Sequence, residues 1–139
     1  MSEEATRTAV KDLYASYVAR DFSRVAALLA DDIDWIIYAP MHIFPFAGHR
    51  TGKGAVLEAL GGIEQDYSIE SYVPKVMIAE DDWASVMSDV AFKQRSTGRL
   101  LRFNIADFMR VREGQIVEFR EFANTFDVVE QALGRELPI

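Results

Sequence analysis

A chain of 139 residues, half of them apolar and 12% aromatic, has the size of one domain and enough apolar side chains to build a core unaided. Its net charge of −7, with no Lys/Arg cluster, argues against nucleic acid and against an anionic membrane surface. It has no cysteine, which excludes disulfides, thiolate nucleophiles and thiolate metal sites.

From the N-terminus, Met1-Ser2-Glu3-Glu4 is acidic and lacks the apolar run of a signal peptide, and a cytoplasmic address is expected. The longest uncharged apolar stretch, 35–46, is too short and too interrupted by proline to span a bilayer. Val10, Leu13, Tyr14, Tyr17 and Val18 recur at helical spacing and predict a first helix, with Ser2 as its cap. Asp21 is placed to cap a second, short helix whose inner side carries Phe22, Val25, Ala26, Leu28 and Leu29. Asp31-Asp32 ends that segment, and Ile33, Trp35 and Ile37 then alternate as a strand.

Residues 38–54 read as a long loop broken by Pro40, Pro45, Gly48, Gly52 and Gly54. The same loop holds Tyr38, Met41, Ile43, Phe44 and Phe46, which suggests a lid folded over something apolar. A third helix presents Val56, Ala59, Leu60 and Ile63 on one face and is expected to fray at Gly61-Gly62. Strands are predicted over 68–78, 83–95, 99–112 and 115–124, with turns at Ser96-Thr97-Gly98 and Glu113-Gly114. A last helix begins near Asn124 or Thr125 and stops at Gly134. The plan is α+β: a single domain over 1–139, its helices packed on one face of a curved, mostly antiparallel sheet.

Two acids stand in apolar rows. Alternation along the third of the predicted strands puts Leu101, Phe103, Ile105, Asp107, Met109 and Val111 on one face. In the next strand Val117, Phe119, Glu121 and Ala123 share a face. A three-residue turn, pairing Arg112 with Ile116, would set Asp107 opposite Glu121; a two-residue turn would set it opposite Arg120. Only the first keeps both apolar rows on one side of the sheet. Two neighbouring carboxyls in apolar surroundings resist ionisation, so one can remain protonated near neutral pH while the other acts as a base. The competing reading pairs Asp107 with an arginine across the sheet and lets Glu121 reach solvent.

Other signals are weaker. His42 and His49 flank the aromatic loop, and His42, beside Ile43-Phe44, is the better candidate for the pocket; no metal site is expected. The Gly48–Gly54 run (48–54) lacks the glycine spacing and the Lys-Ser/Thr ending of a phosphate loop. Asp34 and Asp89 have outward parity, and Ser68, Ser71 and Ser88 have no visible His–Asp company.

Three segments carry a family resemblance: Leu28-Leu29-Ala30-Asp31-Asp32-Ile33-Asp34-Trp35, Phe46-Ala47-Gly48-His49-Arg50-Thr51-Gly52, and Phe108-Met109-Arg110-Val111-Arg112-Glu113-Gly114-Gln115-Ile116-Val117-Glu118-Phe119-Arg120-Glu121-Phe122. Together they resemble the NTF2-like superfamily, in its SnoaL-like and ketosteroid-isomerase-related branch. The resemblance implies a cystatin-like, conical, strongly bent sheet, with N-terminal helices closing an apolar pocket, and often a homodimer through the sheet. Asp107 matches the protonated aspartate of the isomerase oxyanion hole. Glu121 matches the position where SnoaL-like cyclases and limonene-epoxide-type hydrolases carry an aspartate. The isomerase's general base falls at Ile37 and its tyrosine at Leu13, beside Tyr14. Met87 or Ser88 falls where the epoxide hydrolases carry arginine.

The expectation is therefore an enzyme without cofactor or metal, with Glu121 as base and Asp107 as its proton-sharing partner. Trp35, Ile37, Phe46, Phe103 and Phe119 would form an apolar cup, with Tyr14 and Tyr17 nearby and His42 at the lid. The substrate would be a small apolar molecule with a carbonyl-like group, open to proton transfer, cyclisation or hydration. The alternatives are a binding module for an apolar ligand and a dimeric scaffold with a vestigial pocket.

Overall fold

The computed structural model describes residues 2–138. Helix α1 (Glu3–Val18) opens with the Ser2 hydroxyl accepting from the Ala5 N–H at 3.1 Å, and α2 (Phe22–Leu28) with the Asp21 carboxylate accepting from the Arg24 N–H at 3.2 Å. Strand β1 (Leu29–Ile37) follows α2 without a break. Leu29, expected on the helix, instead pairs with Ile116 of a distant strand, so tertiary pairing outweighs local periodicity.

The predicted 38–54 loop contains a strand, β2 (Gly48–Thr51), antiparallel to β1, with Trp35 opposite Arg50 and Ile37 opposite Gly48. Four residues without an apolar row give no strand signal, and the backbone ladder to β1 holds them in place. Gly48 has φ +93°, and the Met41 thioether fills the space a Cβ would take, so the position requires glycine.

Helix α3 (Lys53–Asp66) runs unbroken through Gly61-Gly62. Leu60 and Ile63 are buried on either side of the pair. Their burial outweighs the roughly 1 kcal/mol that each helical glycine costs. Strands β3 (Tyr67–Glu80), β4 (Trp83–Gln94), β5 (Leu100–Arg112) and β6 (Gln115–Ala123) follow, then α4 (Thr125–Leu133), which closes on left-handed Gly134.

The six strands lie in the order β2-β1-β6-β5-β4-β3. All neighbours are antiparallel except β1 and β6, which run parallel, so the sheet is mixed, curved and unclosed. Pro74 lies on the edge strand β3, where a missing N–H is tolerated, and register shifts interrupt that strand near Ile69 and Pro74. The α+β expectation holds. The helices cover the inner face, burying Val10, Val25, Val56, Val86, Met109 and Ile116. The opposite face leaves Met87, Phe108 and Phe122 exposed. Among the described residues, no helix is long and apolar enough to cross a membrane.

Candidate functional site

The β5–β6 connection combines both turns considered from sequence. Arg112 pairs with Gln115, so the turn is the two-residue one, with Glu113 at φ 52° and Gly114 at φ 75°. A register shift then follows: Val111 pairs with Ile116, but Arg110 pairs with Glu118. Val117 is the extra residue of a bulge, and both it and Ile116 are buried. Beyond the bulge the register is that of the longer turn, and Asp107 lies opposite Glu121.

Asp107 is 1% exposed. Its Oδ2 accepts a short hydrogen bond from the Tyr14 hydroxyl, which α1 delivers across the inner face. Its Oδ1 is buried without a fixed donor among the described residues. The Glu121 carboxyl opposite can fill that place only when it carries a proton. Burial lifts Asp107 to about 6, while the facing Glu121 carboxyl and the Tyr14 hydroxyl restrain the rise. Burial also pushes Glu121 well above the usual carboxylate range, and the neighbouring Asp107 charge pushes it further.

Asp107 and Glu121 line a cavity of about 110 Å³. For comparison, an apolar cavity of about 150 Å³ holds benzene. Tyr14, Tyr17, Trp35, Ile37, Phe46, Phe103 and Phe119 all line it. Trp35 stacks on Phe119 with ring centroids 3.8 Å apart.

His42 does not line the cavity. The N–H groups of Ile43 and Phe44 both bond to the Pro40 carbonyl. That tight turn buries Phe44 against the cavity and leaves His42 exposed at the loop tip. His49 instead pairs with Asp34 on the outer face, where Arg120 also reaches Asp34 at 2.6 Å. Asp89 is outward as well, held by Lys75 at 2.9 Å. Among the described residues no cluster of three His, Asp or Glu side chains could hold a metal.

Tyr72 was missed from sequence, yet it lines the cavity, with its ring 6.1 Å from Tyr14 and 5.6 Å from Tyr17. The register shifts in β3 destroy the alternation that would have marked it. Burial, followed by the charges of Asp107 and Glu121, holds the Tyr72 hydroxyl well above its ordinary range. Burial likewise pushes Tyr17 up to about 12. Both phenols therefore stay protonated at neutral pH and available as donors.

Residues 10–119 match the sequence profile of the SnoaL-like domain. The chain belongs to the SnoaL-like family. A Rhodopseudomonas palustris protein of known structure, assigned as an isomerase, is 33% identical; the match covers 97% of this chain and 100% of that one, with a TM-score of 0.84. An NTF2-like protein from Burkholderia xenovorans LB400 is 25% identical over 95% of this chain and 98% of that one, with a TM-score of 0.82. An LEH-like epoxide hydrolase of M. tuberculosis, 15% identical over 94% and 91% with a TM-score of 0.76, shares the fold. No curated protein matches the SnoaL-like chain described here.

Proposed function

We propose that this SnoaL-like protein, as one unit over 1–139, is a cofactor-independent acid–base enzyme of the isomerase, cyclase or hydratase kind. Its substrate would be a small apolar molecule with a carbonyl-like oxygen. The observation that carries the reading is the facing pair of buried Asp107 and half-buried Glu121, both lining an apolar cavity, with the Tyr14 hydroxyl on Asp107. The cavity volume limits the substrate to a small molecule.

The pair shares one proton at neutral pH. Asp107 has the Tyr14 donor to support its charge, and among the described residues Glu121 has no comparable partner, so the proton rests on Glu121. Shifting that proton onto Asp107 frees the Glu121 carboxylate as a base. Glu121 then takes a proton from the carbon next to the carbonyl, and the C–H electron pair moves into a carbon–carbon double bond. The oxygen gains negative charge, which the Tyr17 or Tyr72 hydroxyl can meet with a hydrogen bond. Return of the proton from Glu121 to another carbon completes an isomerisation. Glu121 is the catalytic residue in this scheme, and Asp107 positions it and stores its proton.

The test is hydrogen–deuterium exchange at the α-carbon of cyclohexanone in D2O, followed by NMR. The wild type should accelerate exchange, and Glu121→Gln should lose about 100-fold or more of that acceleration while keeping its affinity. Binding without exchange above buffer would make the protein a binding module and overturn the enzymatic reading.

The partner proposed for the sheet's outer face is a second copy of this chain. Phe108, Phe122 and Met87 are 45%, 44% and 50% exposed there, an apolar surface unusual for a monomer.

A further inference from the structure

We propose that Trp35 is a second recognition point in the cavity, its indole N–H binding an acceptor oxygen of the substrate. The proposal rests on the acid-pair reading and sharpens its substrate class to a ring carrying two oxygens on opposite sides. Trp35 is 5% exposed and lines the cavity, yet its Nε1 has no hydrogen-bond partner among the described residues. Buried N–H groups without partners are rare, and each asks for an explanation.

The sheet does not supply the acceptor. β1 is paired on both edges, with Trp35 opposite Arg50 of β2 and Phe119 of β6, and among the described residues no carbonyl comes within hydrogen-bond reach of Nε1. Nor can the ring turn to find one, because it lies flat on Phe119 with 13° between the planes. An acceptor entering with a ligand would satisfy the group and recover the cost of leaving it bare.

Register sets the spacing. Ile37 is opposite Glu121 and Trp35 is opposite Phe119, both on the inner face. The indole therefore stands one side-chain step from the acid pair, about 7 Å along the strand. Two oxygens across a six-membered ring meet that spacing, one at Glu121 and one at Trp35.

The experiment compares cyclohexanone with cyclohexane-1,4-dione on 15N-labelled protein, which has two indole N–H signals to follow. The dione should bind about tenfold tighter and move the Trp35 signal downfield. Trp35→Phe, which keeps an aromatic ring but removes the N–H, should bring the two affinities together. A dione preference that survives in Trp35→Phe, or an indole signal that the dione leaves unmoved in the wild type, overturns the proposal. If cyclohexanone still binds and depends on Glu121 in those cases, only the Trp35 assignment falls. If neither ketone binds, the acid-pair reading falls with it.

Discussion

Asp107 faces Glu121 across β5 and β6, although the closing pair of their hairpin, Arg112 with Gln115, would on its own set Asp107 against Arg120. The single extra residue, Val117, makes the difference. With an unbulged ladder, an acid would meet a base and form an ordinary ion pair. With the bulge, Arg120 turns to the outer face and binds Asp34, and two acids are left together inside.

Removing the Tyr14 hydroxyl tests how far that pair depends on α1. Tyr14→Phe leaves Asp107 Oδ2 buried without its donor. Urea unfolding should show a loss of about 1–3 kcal/mol. Asp107 should also titrate at higher pH, because a bond that favours its charged form is gone; carboxyl 13C shifts would read this. An unchanged titration would mean that the hydroxyl does not support the charge.

Both acids hold protons more tightly in the folded protein than in the unfolded chain, where carboxyls titrate near pH 4. Their contribution to stability is full below that pH and is lost as pH rises through about 6 for Asp107 and higher for Glu121. Asp34 and Asp82, held low by His49 and Arg110, act in the opposite sense at lower pH, so the useful comparison is between variant and wild type. Glu121→Gln should gain stability relative to wild type as pH rises from 5 to 8. A difference that is flat with pH would contradict the raised carboxyls.

Charge on the outer face tests the dimer. Phe122 stacks on Tyr38 and meets Phe108 edge-on, which places it within an aromatic group on that surface. Phe122→Asp should convert the protein to a monomer in sedimentation equilibrium while cyclohexanone binding persists. A wild type that sediments as a monomer removes the proposed partner.

The hairpin turn contains a correctable strain. Glu113 takes φ 52°, a conformation that asparagine and glycine adopt more readily in such two-residue turns. Glu113→Asn should raise stability by about 0.5–1 kcal/mol, read as a higher denaturation midpoint with no change in the site.

Much of this arrangement was legible in the residues themselves. β5 keeps strict alternation from Leu101 to Val111, so the inward placement of Asp107 followed from counting. Glu121 followed as well, although the turn that would produce its register was misjudged, because a bulge leaves no mark in composition. Tyr72 was hidden by the interruptions in β3. β2 was hidden by its lack of an apolar row, and the outward turn of His42 by a local carbonyl, that of Pro40, accepting from two amides. Periodicity reports on regular backbone; these features belong to its irregularities.

The one parallel junction of the sheet, β1 against β6, also bears on how the chain is made. During synthesis, β1 emerges long before the strand it must lie beside, so the edge carrying Trp35 and Ile37 waits unpaired while most of the protein is still being added. An unpaired strand edge is an aggregation liability, and only the arrival of the final hairpin covers this one.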